Sequence, residues 1–209
     1  MKVRVGVVGP KDSVGHILAL GQEHSDLDLI PYIYKETKET ENIIREYQGE
    51  VDFWFFSGQA PYYYARSKGL IREENSHYPP LYGSSLLGTL LGAHLREGVI
   101  RNASLDTIKQ SELDTLASTY YLGDINIHSF SYDEYKPAEE IISFHKNLYD
   151  EGKIEVAFTC VQEVHDRLNE LGIPCYRVVP SPVAIKLVLQ NLKERGQRSE
   201  EHTSELQSP

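Results

Sequence analysis

Three apolar runs in the first third of the chain each lead into a turn and then into a helical pattern. They occupy residues 3–8, 27–34 and 51–56. Their apolar positions are consecutive rather than alternating, which is typical of parallel strands that are covered on both faces. A chain built in this way is constrained to an α/β fold in which helices flank a parallel sheet.

The same alternation continues to residue 197. Further strands are expected at 103–108, 125–130, 156–158 and 175–179, and further helices at 86–96, 111–121, 138–151, 162–171 and 181–195. Between them, residues 71–82 are first polar and then stiffened by Pro79 and Pro80. We therefore predict a two-lobed α/β fold with doubly wound parallel sheets, a hinge near the two prolines and a return near Ile173-Pro174.

This reading assigns residues 1–80 to lobe 1 and residues 81–174 to lobe 2. Residues 175–197 form the return strand and a connector helix that rejoins lobe 1. Asp12 and Ser13 are expected to cap the first helix. Pro182 is expected near the start of the last helix, where its missing N–H has little effect.

The last stretch, residues 198–208, is expected to have a different origin from the rest of the sequence. Its letters RSEEHTSELQS match the in-frame translation of a common short-read sequencing adapter. We expect that residues 198–209 are adapter read-through and that the natural chain continues past Gln197 into an output domain. A natural polar tail is the alternative.

Composition narrows the function classes. With 209 residues and 40% hydrophobic content, the chain can form a substantial core, while its net charge of −10 repels phosphate backbones. Nucleic acid binding is therefore expected only through the missing domain. No run suggests a signal peptide or a membrane span, so a cytoplasmic location is predicted. Cys160 and Cys175 are expected to be reduced packing residues rather than a disulfide.

Candidate ligand-binding residues follow the predicted strands. In open parallel sheets, ligands bind beyond the carboxyl ends of the strands, where helix N-termini present unpaired N–H groups. The small, hydroxyl, amide and aromatic residues expected there are Pro10, Lys11, Asp12, Ser13, Ser57, Gly58, Gln59, Tyr62, Tyr82, Gly83, Ser84, Ser85, Thr159, Cys160, Gln162 and Ser181. They suit a small organic acid or a phosphorylated metabolite, with Tyr62 and Tyr82 walling an apolar tail. The alternative is that they are only helix caps and turn formers.

Motifs for nucleotide cofactors and for common hydrolases are missing. Gly6, Gly9 and Gly15 do not have the spacing of a dinucleotide or phosphate-binding loop, and the Ser57 turn is not a nucleophile elbow. The histidines form no i, i+4 pair. No cofactor and no metal are predicted.

Cys160 is the one catalytic candidate. It lies where a strand ends and a helix begins, a position that lowers the pKa of a thiol. A two-lobed isomerase or racemase would use one such cysteine per lobe, yet the equivalent turn in lobe 1 carries Ser57-Gly58. A buried packing role for Cys160 is the alternative.

Three segments together carry a resemblance to a known family. Residues 51–61, 78–87 and 178–185, in that order, resemble the N-terminal receptor domain of propionate-catabolism activators and related bacterial cytoplasmic regulators. The resemblance implies a periplasmic-binding-protein-like fold, with Ser57-Gly58 at the turn where a strand ends, residues 80–87 entering a helix and residues 181–185 starting the last helix. Residues 186–197 would then connect to an output module, often a helix-turn-helix DNA binder.

The chain departs from this family at Gln59-Ala-Pro-Tyr-Tyr-Tyr64, so the family's ligand is not carried over. The leading hypothesis is a cytoplasmic sensor domain of a transcriptional regulator that binds a small metabolite between its lobes. A Cys160-dependent isomerase or racemase and a pure dimerisation module are the alternatives, and a homodimer is compatible with each of them.

Overall fold

The structure, a computed structural model, describes residues 2–81, 83–130 and 134–206, with side chains as far as residue 198. The chain divides into two compact units. The first unit comprises Met1–Pro80 and Pro182–Pro209, and the second comprises Leu81–Ser181.

Strands and helices alternate through the described residues. The strands are β1 (Val3–Gly9), β2 (Leu27–Ile33), β3 (Phe53–Phe56), β4 (Ser76–His77), β5 (Asn102–Asp106), β6 (Asn126–Phe130), β7 (Val156–Thr159) and β8 (Cys175–Arg177). The α-helices are α1 (Lys11–Gly21), α2 (Thr40–Tyr47), α3 (Gln59–Ser67), α4 (Gly83–Glu97), α5 (Gln110–Tyr120), α6 (Ala138–Asp150), α7 (Gln162–Glu170) and α8 (Pro182–Leu206).

Each unit holds one four-stranded parallel sheet. The order is β2-β1-β3-β4 in the first unit and β6-β5-β7-β8 in the second. All six strand pairings among the described residues are parallel. The predicted fold class, α/β with doubly wound parallel sheets, is confirmed.

The sheet of the first unit is covered on both faces, which explains its consecutive apolar residues. On one face, Val5 and Val7 pack in a buried cluster with Leu189 and Leu192 of α8. On the other face, Val8, Trp54 and Phe56 pack with Ile44 and Tyr62. Gly6 is required in this arrangement, because a Cβ atom there would lie 2.5 Å from the Trp54 ring.

The second unit has an apolar face and a polar face along its central strand. Ala103 and Leu105 belong to a buried apolar cluster that also includes Leu86 of α4 and Phe158 of β7. The alternate residues of the strand, Ser104 and Asp106, are polar, yet they are fully buried. Burial of polar groups on this scale requires hydrogen-bonding partners.

Strand β8 corrects the predicted domain division. It pairs with β7 through Ala157↔Cys175 and Thr159↔Arg177, so it belongs to the second sheet. The chain divides between Ser181 and Pro182. The prediction that residues 175–181 return to lobe 1 is therefore wrong, because the backbone of β8 completes the second sheet before the chain leaves it.

Two further details differ from the expectations. Helix α1 begins at Lys11 with Pro10 at the N-cap position, so the predicted caps Asp12 and Ser13 lie inside its first turn. The two-residue strand β4, which pairs with β3, lies within residues 71–82, where only an irregular crossing was expected. Two residues are too few for a hydrophobic pattern to reveal a strand.

The last helix, α8, starts at Pro182, as predicted, and its backbone continues through residue 206. The expectation that residues 198–209 are adapter read-through stays a prediction; residues 207–209 and the side chains from residue 199 onward lie outside the described part. None of the helices within the described ranges is long and apolar enough to cross a membrane.

Candidate functional site

The strand order creates one topological switch point in each sheet. From β1 the chain moves first to β2 on one side and later to β3 on the other, and β5 has the same relation to β6 and β7. Crevices for ligands form at the carboxyl ends of the two strands that flank such a point. The relevant edges are therefore the ends of β1 and β3 in the first unit, and of β5 and β7 in the second.

In the first unit, Ser57 lies directly over the end of β1. Its backbone N–H donates to the Val8 carbonyl at 2.8 Å. A Cβ atom on Gly9 would lie 2.4 Å from the Ser57 Oγ, so only glycine leaves room for this side chain. The Ser57 side chain thus lies beside Gly9, the last residue of β1.

Two helices begin at this edge without a side-chain cap. Pro10 precedes α1, and Gly58, in an extended conformation, precedes α3. The first N–H groups of a helix carry partial positive charge and bind anions. Lys11 and Asp12 are exposed and Ser13 is half-buried, and the side chains of Asp12 and Ser13 already have interaction partners.

Gln59 opens α3 with a buried acceptor. Its Oε1 has no hydrogen-bond partner among the described atoms. A buried acceptor without a partner costs roughly 1–3 kcal/mol, so a ligand or water donor would stabilise it. This residue matches the predicted role better than its neighbour Tyr62 does.

The ligand role predicted for Tyr62 is not supported. Its side chain is 7% exposed and packs against Phe56 and Tyr78, with ring centroids 5.9 and 4.6 Å away. These contacts belong to the core of the first unit. Tyr82, the other predicted aromatic wall, lies outside the described residues.

In the second unit, a buried chain of hydrogen bonds centres on Asp106 at the end of β5. Its Oδ1 accepts the backbone N–H of Cys160 at 3.1 Å, and its Oδ2 lies 3.0 Å from Nε2 of His145. The other ring nitrogen of His145, Nδ1, lies 2.6 Å from Oγ of Ser104. All three side chains are fully buried. The chain ties β5 to α6 and to the turn between β7 and α7.

Hydrogen-bond chemistry fixes the tautomer of a neutral His145. A carboxylate only accepts, so Nε2 must carry the proton and the Ser104 hydroxyl must donate to Nδ1. The residue types are those of a hydrolase triad, but a serine without solvent exposure has no access to substrate. The arrangement is therefore structural at Ser104 and positions the edge of the sheet at Asp106.

Thr107, the residue after β5, has an unusual backbone. Its φ of 67° lies in the left-handed region, which is strained for a β-branched residue. Its hydroxyl lies 2.7 Å from the Asp106 carbonyl oxygen and also contacts the Cys160 sulfur. The two strand ends of this switch point are thus linked side chain to side chain.

The environment of Cys160 overturns the predicted activation of its thiol. Burial raises the pKa of Cys160 well above its ordinary value, and the Asp106 carboxylate adds to the rise. The Thr107 hydrogen bond and the charge of Arg177 act in the opposite direction and are outweighed. The prediction of a lowered pKa is wrong in direction, because desolvation of the sulfur disfavours the charged thiolate.

The remaining polar residues of this edge lie around the start of α7. Gln162 donates to Asp166 at 2.7 Å, which leaves its buried Oε1 without a partner among the described atoms. Thr159 is fully buried and accepts the Val161 N–H at 3.1 Å, which is the turn-forming role given as the alternative. Ser181 is half-buried and has an interaction partner.

Arg177 is a site residue that sequence reasoning missed. It stands next to Thr159 in the sheet and adds a cation near Cys160. Asp106 and Thr107 were also missed, because the predicted strand 103–108 placed them inside an element rather than at its end. The polar pair Asp106-Thr107 directly after the apolar part of β5 was a detectable signal, because polar residues often mark the end of a strand.

The predicted residues at the start of α4 have different environments. Ser84 is exposed, while Ser85 is buried and its Oγ has no partner among the described atoms. Gly83 is a packing residue, because a Cβ atom there would lie 2.1 Å from Leu116 of α5. A cavity of about 380 Å³ adjoins it within the second unit. Its lining comprises Leu81, Gly83, Ile108, Ser111, Glu112, Thr115 and Leu116.

Comparison with known proteins gives a clear result for the fold. No family model and no curated protein matches the chain. A solved structure of an NtrC family transcriptional regulator from Clostridium acetobutylicum matches with a TM-score of 0.71 over 93% of this chain and 98% of that one. The chain shares the fold of that regulator. At 16% identity, the likeness concerns the fold alone.

Two other solved structures are more distant. A LacI family regulator from Mycobacterium smegmatis has a TM-score of 0.49 at 9% identity, covering 91% of this chain and 89% of that one. Arylmalonate decarboxylase has a TM-score of 0.34 at 12% identity, covering 91% and 92%. Neither likeness is strong enough to separate a regulator from an enzyme.

Proposed function

We propose that this chain is the small-metabolite-sensing domain of a cytoplasmic transcriptional regulator. The observation that carries the proposal is the fold shared with the NtrC family regulator along nearly the whole of both chains. The family resemblance of residues 51–61, 78–87 and 178–185 supports the same conclusion independently of the structure.

The ligand is proposed to be a small organic acid or a phosphorylated metabolite. A negatively charged ligand is supported by two features. The N-termini of α1, α3 and α7 have no side-chain cap, and Arg177 adds a positive charge. The buried acceptors of Gln59 and Gln162 favour a ligand that also carries N–H or O–H donors. A hydroxy acid or an amino acid combines both features.

The sensing step is proposed to be a shift between closure states. A ligand that binds one state more tightly changes the population of that state in proportion to the difference in affinity. DNA contact is assigned to another domain, because a chain with a net charge of −10 repels phosphates.

Thermal unfolding with a panel of carboxylic and phosphorylated metabolites tests this proposal. We expect at least one compound to raise the Tm, because a ligand that binds only the folded state stabilises it. Ser57→Phe, Ser84→Phe and Arg177→Gln should each reduce that rise, and the exposed Ser118→Phe on α5 should not. A full panel without any rise in Tm contradicts the proposal.

The enzyme alternative finds no support in the thiol's environment. A nucleophilic cysteine needs a thiolate near neutral pH, whereas burial raises the pKa of the Cys160 thiol. The corresponding position in the first unit holds Ser57-Gly58 rather than a second cysteine. We therefore propose the sensor and not the isomerase.

A further inference from the structure

A cavity of about 380 Å³ lies in the second unit, at the carboxyl end of β5. Its wall includes Ile108, two residues beyond that strand, and Ser111 and Glu112 in the first turn of α5. Gly83, the first residue of α4, lines it as well, so two helices begin around the same space. Small-molecule sites have volumes of about 300–1,000 Å³. The cavity therefore has the size of a site for a small metabolite.

Three side chains give the cavity an apolar wall. Leu81, Ile108 and Leu116 line it and pack with the apolar cluster of the second unit. Ile108 is buried, whereas Leu81 and Leu116 are only half-buried, so part of this wall is in contact with water. A ligand that fills the cavity with an apolar group removes that surface from water, which favours binding.

The start of α5 offers unused hydrogen-bond donors beside this wall. The helix has no side-chain cap. The backbone N–H groups of Glu112 and Leu113 donate to the Lys109 carbonyl, but the N–H of Ser111 meets no acceptor among the described residues. The exposed Ser111 hydroxyl adds a further donor. Such donors, together with the partial positive charge of a helix N-terminus, bind carboxylates.

A carboxylate stands next to these donors. Glu112 is exposed, and it forms no ion pair with any residue that the structure describes. Thr115, the remaining polar side chain of the lining, donates its hydroxyl hydrogen to the Ser111 carbonyl. The Glu112 carboxylate is thus available to a cation from outside the chain. Because Ser111 and Glu112 are adjacent, the binding groups for an anion and for a cation lie side by side.

We propose that this cavity binds an α-amino acid with an apolar side chain. Such a molecule carries a carboxylate and an ammonium group on one carbon atom, next to an apolar group. The apolar group packs on the wall, the carboxylate accepts from Ser111, and the ammonium group pairs with Glu112. The inference rests on the proposed sensing function and narrows the ligand of that function from small acids in general to this class.

Calorimetric titration of the full chain with L-leucine, L-isoleucine and L-phenylalanine tests the inference. At least one of them should bind, whereas L-serine and L-glutamate should bind at least tenfold more weakly. Removal of either charged group from the ligand should also weaken binding at least tenfold. For leucine, the two analogues are 4-methylpentanoate, which lacks the ammonium group, and 3-methylbutylamine, which lacks the carboxylate.

Two variants locate the binding. Glu112→Gln should weaken binding of the amino acid at least tenfold and leave that of 4-methylpentanoate unchanged, because only the ammonium group contacts Glu112. Glu140→Gln, at an exposed glutamate in the first turn of α6, is the matched control. Thr115→Phe should weaken binding by filling the cavity, whereas Ser118→Phe, at an exposed position of α5 outside the lining, should not. The Tm of each unliganded variant shows that it has folded.

The results separate this inference from the function on which it rests. If none of the three amino acids binds, or if Glu112→Gln and Thr115→Phe both leave their affinity unchanged, the inference is wrong. A hydroxy acid or a phosphorylated metabolite that raises the Tm in that case still supports a sensor with another ligand. If no compound of either kind binds, both proposals fail.

Discussion

Nε2 of His145 lies 3.0 Å from Oδ2 of Asp106, and neither side chain is exposed to solvent. Asp106 also accepts the Cys160 backbone N–H, so a single carboxylate joins β5, α6 and the β7–α7 turn. The end of β5 in the second unit is thus fixed by a polar network, whereas the end of β1 in the first unit is fixed by the contact of Ser57 with Gly9.

Replacement of Asp106 should destabilise the second unit strongly. Asp106→Ala leaves the imidazole N–H and the Cys160 N–H buried without an acceptor, and each buried donor left without a partner costs about 1–3 kcal/mol. Urea unfolding should show this decrease in the free energy of unfolding. Asp124→Ala, at an exposed aspartate of the same unit, should change it by less than about 0.5 kcal/mol. A loss below about 1 kcal/mol at Asp106 would contradict the importance of the network.

Addition of one methyl group at Gly9 should disturb the edge of the first unit. Gly9→Ala forces the Ser57 side chain aside, because the new Cβ would lie 2.4 Å from its Oγ. Overpacking of this kind costs about 1–3 kcal/mol. Thermal or urea unfolding should detect the loss, and Gly49→Ala, where a Cβ meets nothing within 4 Å, serves as the control. Equal behaviour of the two variants would mean that Ser57 moves without cost.

The two cysteines should make the chain less stable in alkaline solution. Burial raises the pKa of both Cys160 and Cys175 in the folded state. Their contribution is fully present below the unfolded-state value of about 8.5 and is lost as the pH rises toward the folded-state pKa. The free energy of unfolding should therefore fall above about pH 8.5.

In the variant Cys160→Ser, the free energy of unfolding should fall less in alkaline solution. In the double variant Cys160→Ser with Cys175→Ser, it should fall less again. Iodoacetamide should react with Cys160 in the folded chain far more slowly than with a free thiol at the same pH, because the thiolate is scarce. Fast alkylation of Cys160 at neutral pH would instead support an activated, nucleophilic thiol.

Glu155, at the amino end of the second sheet, should make the chain less stable in acid. Burial raises the pKa of Glu155, but hydrogen bonds from the Asn102 and Arg101 backbone N–H groups, at 2.6 and 2.9 Å, outweigh it and hold the pKa below its ordinary value. Stability from Glu155 is present above the unfolded-state pKa of about 4.3 and is lost as the pH falls through the folded-state value.

Glu155→Gln should therefore flatten the pH dependence of the free energy of unfolding between about pH 5 and pH 3. Glu151→Gln, at the exposed glutamate that follows α6, serves as the control. An identical slope in the Glu155 variant would show that the unfolded chain retains the same hydrogen bonds.

The order of strands and helices could be predicted from the sequence, but the side-chain contacts at the strand ends could not. Consecutive apolar residues such as Phe53–Phe56 reveal a doubly covered strand locally, because burial on both faces removes the alternation. The pairing of Asp106 with His145 joins residues 39 positions apart and leaves no local pattern. Likewise, the pKa of Cys160 depends on which atoms surround the sulfur, so the helix start next to it was a misleading guide.

The discontinuous first unit has a consequence for synthesis on the ribosome. Its core needs Leu189 and Leu192 of α8, which emerge after the whole of Leu81–Ser181. The second unit is contiguous, so it can fold while the earlier residues 1–80 still lack their last helix. Nascent chains usually fold domain by domain from the N-terminus. Here the second unit is synthesised in full before the first, so residues 1–80 can complete their core only after α8 has been synthesised.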